Sequence, residues 1–129
     1  MPALSDLGLT ADIDDAEACI RDVVGIDPRP WFRCPFGEGA DDPRILQALA
    51  AHGYRNVHWD VAVSDWEDDR TAEGVENDVV NGVLTHGDGA IVLLHTWPAP
   101  TVGALAPILQ RLRSNGCHFV TVAEVLDGQ

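Results

Sequence analysis

The sequence contains no lysine: all eight of its basic residues are arginine, against 21 aspartate and glutamate residues. The resulting formal charge of −13 at neutral pH repels the phosphates of nucleic acids and anionic membrane surfaces. A neutral polymer remains compatible with such a surface. Nucleic acid and membrane are therefore excluded as expected partners.

Cysteines and long apolar runs are also scarce. Cys19, Cys34 and Cys117 form no C-x-x-C pair, and an odd number of cysteines does not build a disulfide framework. We expect Cys19 and Cys117 to pack as small apolar residues. No run approaches the ~18 apolar residues of a membrane span. Met1 is followed by Pro2 and acidic sequence in place of a signal peptide, so these residues as written predict a cytoplasmic location.

Length and apolar spacing predict the fold class. A chain of 129 residues with 46% hydrophobic content predicts one domain over residues 1–129. Runs typical of strands lie at residues 30–33, 56–61, 90–94 and 118–120. Helical patterns begin near Asp12, Asp42, Thr71, Thr101 and Thr121. Asp42 is predicted to cap its helix, Thr121 and Glu124 to form a capping box, and Gly25 to end the first helix. Helices between strands make right-handed crossovers, so the order predicts a parallel α/β arrangement of one helix and four strand–helix units.

Polar side chains follow three of the predicted strands, at the strand ends where α/β sheets place their sites. Arg33 ends the first strand, Asp65 lies beyond the second, and His95 directly follows the third. A histidine near its reference pKa of about 6.5 donates a proton well only when a second group fixes its orientation. A carboxylate does this and also favours the charged form. A histidine and a carboxylate at strand ends are therefore residue types that suit a proton donor.

Three segments resemble a known family when taken in order. They are R-x-P-F-G at Arg33–Gly37, W-D…D-W at Trp59–Trp66, and I-V-L-L-H at Ile91–His95. Together they resemble the third, fourth and fifth motifs of the polysaccharide deacetylase family, or NodB homology domain (carbohydrate esterase family 4). The similarity extends from about Leu9 to Leu126. It implies the second half of a distorted β/α barrel, with about four parallel strand–helix units. It also implies metal-dependent removal of acetyl groups from N-acetylglucosamine polymers or acetylated xylan.

The resemblance implies a role for the first segment. Arg33 would orient and tune a carboxylate base, and Pro35, Phe36 and Gly37 would shape the loop that holds it. Outside this context, Arg33 is explained equally well as an ordinary ion-pair residue.

The resemblance also implies roles for the other two segments. Trp66 would wall an acetyl pocket, and Leu93 would contact the acetyl methyl. His95 would be the general acid that protonates the leaving amine, with Asp65 hydrogen-bonded to its ring. The plainer alternatives are a core histidine at His95 and simple packing at Trp66.

Other residues near these segments are assigned no role. Trp59 and Trp97 are expected to pack, and Asp60 either borders the site or merely ends a strand. The remaining histidines are expected at the surface or at strand ends: His52, His58, His86 and His118.

Two motifs of the family are missing. A T-F-D-D-like strand end would supply the base and one metal-ligating aspartate, and H-x-x-x-H would supply two histidine ligands. No two of the five histidines lie three or four residues apart, as a ligand pair on one helical face requires. The acidic stretch Ala11–Asp15 is predicted to start a helix. The divalent metal of the family, zinc or similar, therefore has no ligands in this chain, and the isolated chain is expected to deacetylate very poorly or not at all.

Three hypotheses follow. The chain is part of a deacetylase that acts on carbon–nitrogen (non-peptide) bonds of an N-acetylated polysaccharide or oligosaccharide. Its half-barrel would have open edges, so it would need the missing amino-terminal half or form a homodimer. Alternatively, it is a catalytically inactive carbohydrate-binding or assembly module. A self-sufficient hydrolase using His95 and Asp65 is disfavoured, because no serine or cysteine nucleophile convincingly accompanies them; Cys34, inside the first segment, is the residue whose alkylation would test this hypothesis. A missing half would also carry any signal peptide, which leaves the localisation open.

Overall fold

The structure is a computed structural model of the chain and describes residues 1–128. Residues 1–58 form one compact unit, and the chain from residue 59 onward forms a second. Each unit contains one two-stranded parallel sheet. The predicted parallel α/β arrangement is therefore confirmed, whereas a single domain over residues 1–129 stays a prediction. None of the helices in residues 1–128 is both long and apolar enough to cross a bilayer.

The first unit is built from two helices and one strand pair. Its elements are α1 (Asp6–Val24), β1 (Trp31–Phe32), a 3-10 turn (Pro35–Gly37), α2 (Pro43–Ala51) and β2 (Arg55–Asn56). Strand β1 pairs with β2. Asp42 caps α2, as predicted: its side chain accepts a hydrogen bond from the backbone N–H of Arg44. The buried core consists of Leu9, Ile13, Cys34, Ile45, Leu49 and Tyr54.

Helix α1 begins earlier than predicted. The Ser5 side chain accepts a hydrogen bond from the backbone N–H of Gly8 and caps the helix at Asp6. Asp12 therefore lies inside the helix, and the prediction that residues 11–15 start it is wrong. Gly25 ends the helix as predicted, with a φ of 75° that favours glycine.

The later turns of α1 carry an uncovered apolar stripe. Leu9 and Ile13 are buried in the core, whereas Ile20 and Val23 are exposed. Cys19 is exposed as well, so the prediction that it packs is wrong, because the helix extends past the core that covers its first turns.

The second unit contains three helices and the other strand pair. Its elements are β3 (Val61–Ala62), α3 (Ala72–His86), β4 (Val92–Leu93), α4 (Ala99–Ser114) and α5 (Val122–Asp127). Strand β3 pairs with β4. Helices α3 and α4 supply the buried core: Val75, Val79, Val80, Ala104, Ile108 and Leu112. Thr71 caps α3, and Thr121 forms the predicted capping box with Glu124.

Residues 118–120 do not form the predicted last strand. A cavity of about 630 Å³ is lined both by β4 and by this segment, along with apolar side chains of α3 and α4. Within residues 1–128, β4 is paired only with β3. A segment becomes a strand through hydrogen bonds to a neighbouring strand, and residues 118–120 have no such partner. The fourth strand–helix unit is therefore incomplete.

Gly82 on α3 approaches β3 closely. A Cβ at Gly82 would lie 2.6 Å from Cγ1 of Val61, a stiff side chain. Alanine normally stabilises a helix interior by about 1 kcal/mol relative to glycine. Overpacking costs roughly 1–3 kcal/mol. We therefore expect Gly82→Ala to lower the free energy of unfolding in urea by about 1 kcal/mol.

A matched substitution tests this explanation. The nearest atom to a Cβ at Gly8 on α1 lies at an ordinary distance of 3.4 Å. Gly8→Ala should therefore be neutral or stabilising, and an equal loss of stability in both variants would contradict the close approach at Gly82.

Candidate active site

Asp65 is a buried carboxylate in the loop after β3, with a side chain that is 1% exposed. It accepts three hydrogen bonds. The Thr101 hydroxyl donates to Oδ2 at 2.6 Å, and the His95 backbone N–H donates to Oδ2 at 2.8 Å. The His95 ring nitrogen Nδ1 lies 2.7 Å from Oδ1. The hydrogen bond expected between Asp65 and the His95 ring is therefore present. These hydrogen bonds offset the free-energy cost of burying the Asp65 carboxylate.

The charge of Asp65 follows from this environment. Burial acts to raise the pKa of Asp65, but the hydrogen bonds from Thr101 and His95 outweigh it and hold the pKa below its ordinary value of 3.8. Asp65 is therefore an anion at neutral pH. An ionised carboxylate only accepts hydrogen bonds, so Nδ1 of His95 must be the donor. This leaves Nε2 as the His95 atom that exchanges protons.

Two tryptophans flank the His95 ring. The Trp66 ring stands edge-on to it with a centroid distance of 5.0 Å, and the Trp97 ring lies at 4.5 Å, tilted by 56°. Trp66 is 48% exposed and Trp97 is 71% exposed. The Trp97 ring packs against His95 at the surface and outside the core, and the expectation that it does no more than pack stays a prediction.

Leu93 lies on the strand pair β3–β4, and Asp60 directly precedes β3. Leu93 is half-buried in β4, opposite Ala62 of β3. Asp60 Oδ2 accepts a hydrogen bond from the backbone N–H of Ile91 at 2.8 Å, which ties the starts of the two strands together. This contact gives Asp60 a structural role at a strand end. The role of Leu93 at an acetyl methyl stays a prediction.

The R-x-P-F-G segment belongs to the first unit. Arg33 is exposed and follows β1 directly. The backbone N–H of Cys34 donates to the Asn56 side chain at 3.2 Å. The turn Pro35–Gly37 then presents Phe36 to solvent at a φ of 56°. The roles of Arg33 and of this loop toward a base stay predictions.

Cys34 is buried in the core of the first unit. Burial raises the pKa of its thiol, and a protonated thiol is a poor nucleophile. Cys34 therefore gives the hypothesis of a self-sufficient hydrolase no support.

A metal ion in a protein needs several ligating side chains placed around one point. Residues 1–128 contain no group of three His, Cys, Asp or Glu side chains placed to hold one. Both oxygens of Asp65 already accept hydrogen bonds, and His95 donates to one of them. The side chains of this part of the chain therefore do not fit a divalent ion, and we assign no ligand among them.

Comparison with known proteins gives the site its context. No family model matches the sequence. A peptidoglycan-N-acetylglucosamine deacetylase of Bacillus cereus is 37% identical over 100 residues, which cover 74% of this chain and 44% of that protein. The structure of a family 4 carbohydrate esterase from Streptomyces lividans in complex with acetate matches with a TM-score of 0.76. It is 28% identical, and the match covers 90% of this chain and 56% of that one.

A further structural match concerns the fold alone. It is a mutant of a family 4 carbohydrate esterase pseudoenzyme with restored enzymatic activity. The TM-score is 0.82 at 22% identity, and the match covers 96% of this chain and 43% of that one. The α/β fold of the NodB type is therefore supported over nearly the whole chain.

The chain has an α/β fold, and its sequence is similar to those of carbohydrate deacetylases. It is a relative of the polysaccharide deacetylases of carbohydrate esterase family 4, and it matches a carboxyl-terminal, NodB-like portion. The family resemblance predicted from the motifs is thus confirmed. The chain spans less than half the length of the first curated relatives that it matches.

Two parts of the site had not been singled out from the sequence. Thr101 was predicted only to open a helix, yet it lies in the first turn of α4 and bonds to Asp65. Trp97 was assigned to packing. The available signal was position: both residues follow His95 closely, at the start of α4.

Proposed function

We propose that this chain is the acid-bearing part of a polysaccharide deacetylase, which hydrolyses the carbon–nitrogen bond of N-acetylated carbohydrate. The observation that carries the proposal is the buried Asp65 carboxylate hydrogen-bonded to His95, between the exposed rings of Trp66 and Trp97. The relative from Bacillus cereus, whose name gives such a substrate, supports it.

The pair supplies the proton that amide hydrolysis requires. Water adds to the acetyl carbonyl carbon, and the tetrahedral intermediate collapses when its carbon–nitrogen bond breaks. The amine leaves only if nitrogen gains a proton as it departs, and protonated His95 gives that proton from Nε2. The products are acetate and a free amine on the sugar. Asp65 holds the ring through Nδ1 and stabilises the imidazolium before transfer.

Substrate contacts are proposed for the neighbouring residues. Trp66 forms one wall of the pocket for the acetyl group, and Leu93 contacts the acetyl methyl. In the first unit, Arg33 orients the base, and the turn Pro35–Gly37 shapes the loop around it.

The remaining chemistry is proposed to come from residues outside these 129. If those residues hold a divalent ion such as zinc, the ion would supply Lewis-acid chemistry for the carbonyl and the water. Those residues lie in a further part of the same polypeptide or in a separate chain, and they complete the distorted barrel that the family resemblance implies. Alternatively, a second copy of this chain covers the open strand edges in a homodimer.

A non-catalytic carbohydrate-binding module is the second candidate. The exposure of Trp66 and Trp97 favours it, because exposed aromatic faces offer large contact areas to the apolar side of a sugar ring. This function requires neither the metal nor the base.

Acetate release decides between the two. The full gene product, purified with any chain that co-purifies, is incubated with N-acetylated chitooligosaccharide and Zn²⁺ or Co²⁺. We expect acetate and free amine in equal amounts, and very little from residues 1–129 alone. Binding of the oligosaccharide without acetate release under any of these conditions would favour the module. A parallel reaction with acetylated xylan separates ester from amide hydrolysis.

A further inference from the structure

We infer that Thr101 is a positioning residue for His95 and acts through Asp65. Thr101 is buried in the first turn of α4, and its hydroxyl donates to Asp65 Oδ2 at 2.6 Å, the shortest of the three hydrogen bonds to that carboxylate. Only the catalytic meaning of this arrangement rests on the proposed function, since the three bonds are independent of the substrate.

The hydroxyl fixes the plane of the carboxylate. Asp65 uses Oδ1 for the His95 ring and Oδ2 for the His95 backbone N–H. A carboxylate held by one residue alone can pivot about its Cβ–Cγ bond, because the torsional well of such a bond is broad. Thr101 adds a second anchor on Oδ2 from a different element. The direction in which Oδ1 faces Nδ1 is therefore set from two sides.

Thr101, which holds Asp65, lies on the rigid helix α4. Helix α4 is packed through Ala104 and Ile108, which are buried in the core of the second unit. Ala104 lies one turn beyond Thr101 on the same face. Because α4 already holds Thr101 in place, its hydrogen bond to Asp65 costs little additional conformational entropy. Supporting hydrogen bonds from a rigid element keep a functional side chain in one geometry.

This geometry has a consequence for the His95 ring. Because ionised Asp65 only accepts, neutral His95 holds its hydrogen on Nδ1 and leaves Nε2 bare. If Thr101 keeps Oδ1 of Asp65 facing Nδ1 of His95, removing the Thr101 hydroxyl should weaken the preference of the His95 hydrogen for Nδ1. If Thr101 serves only to pack α4, the same substitution should leave that preference unchanged.

Nitrogen-15 NMR of the imidazole rings tests this. At a pH where His95 is neutral, we expect the Nδ1–H form in the wild-type chain and in Thr101→Ser, which keeps the hydroxyl. In the near-isosteric Thr101→Val, we expect a comparable population of the Nε2–H form. Exchange of the Nδ1 hydrogen with water should be about tenfold faster, as expected for the loss of one hydrogen bond.

The controls separate positioning from folding. Thr85→Val makes the same change at an exposed position of α3 and should leave the His95 signals unchanged. If Thr101→Val does not fold, Thr101→Ala, which adds no apolar atom at the hydroxyl position, carries the same expectation. A pure Nδ1–H form with unchanged exchange in the folded variant would overturn the inference. So would loss of that form in a folded Thr101→Ser.

Kinetics of the full gene product separate this inference from the proposed function. Thr101→Val should lower kcat about tenfold with KM within about twofold, and Thr101→Ser should restore kcat. If the wild type releases no acetate, the proposed function fails while the NMR result still decides the positioning of His95. If the wild type is active and Thr101→Val changes neither kcat nor the NMR signals, the positioning inference fails alone.

Discussion

Acetate release by the full gene product is expected to fall about 10²- to 10⁴-fold when His95 is replaced by alanine, the range that a positioned general acid contributes. The sugar amine leaves poorly without a proton. The proton is transferred only as the carbon–nitrogen bond breaks, so kcat should fall while KM stays within about twofold. Acetate measured over a range of substrate concentrations separates the two constants.

The matched control is His118→Ala, at an exposed position of the same unit. Activity of His118→Ala should stay near that of the wild type. Alanine at position 95 leaves a space between Trp66 and Trp97 and in reach of Asp65, so added imidazole should restore part of the lost rate. Activity of His95→Ala within about threefold of wild type would contradict the general-acid role.

The helix ends show what the sequence can predict. The starts of α2, α3 and α5 were predicted correctly, because Asp42, Thr71 and Thr121 each accept a hydrogen bond from a backbone N–H two or three residues away. The start of α1 was misplaced for a related reason. An acidic stretch favours a helix start through the helix dipole, but Ser5 makes an actual capping hydrogen bond.

The strands show what the sequence cannot predict. Residues 90–94 and 118–120 are both predicted strands, yet only the first contains a strand, β4, in which Val92 pairs with Val61. A pairing between positions so far apart in the sequence leaves no local pattern. Because the strands are short, the apolar pattern does not predict the number of barrel units.

The same difference between local contacts and contacts across the sequence applies to the site. The bond between Asp65 and His95 spans 30 residues and was expected only because the family resemblance places the two residues together. Thr101 makes a bond of the same kind across 36 residues, but a threonine at a helix start is ordinarily explained by capping. Its burial and its partner are tertiary features, and they became visible only in the structure.

Asp65→Ala is expected to lower the free energy of unfolding by about 3 kcal/mol or more, as measured by urea denaturation followed by tryptophan fluorescence. The substitution leaves three donors without their acceptor: the Thr101 hydroxyl, the His95 backbone N–H and His95 Nδ1. Each buried donor left unsatisfied costs about 1–3 kcal/mol, although solvent can reach part of the His95 ring. Asp68, which is exposed three residues later, supplies the control. Asp68→Ala should change stability by less than about 0.5 kcal/mol.

The pH dependence of the same loss tests its cause. The folded-state pKa of Asp65 lies below its ordinary value of 3.8, so ionised Asp65 contributes stability above that value. The contribution is lost as pH falls below 3.8 and through the folded-state pKa. In Asp65→Asn, position 65 does not titrate. The stability difference between wild type and Asp65→Asn should therefore be largest near neutral pH and shrink on acidification below 3.8. A difference that stays constant from pH 7 to pH 2 would show that Asp65 acts through its shape and not through its charge.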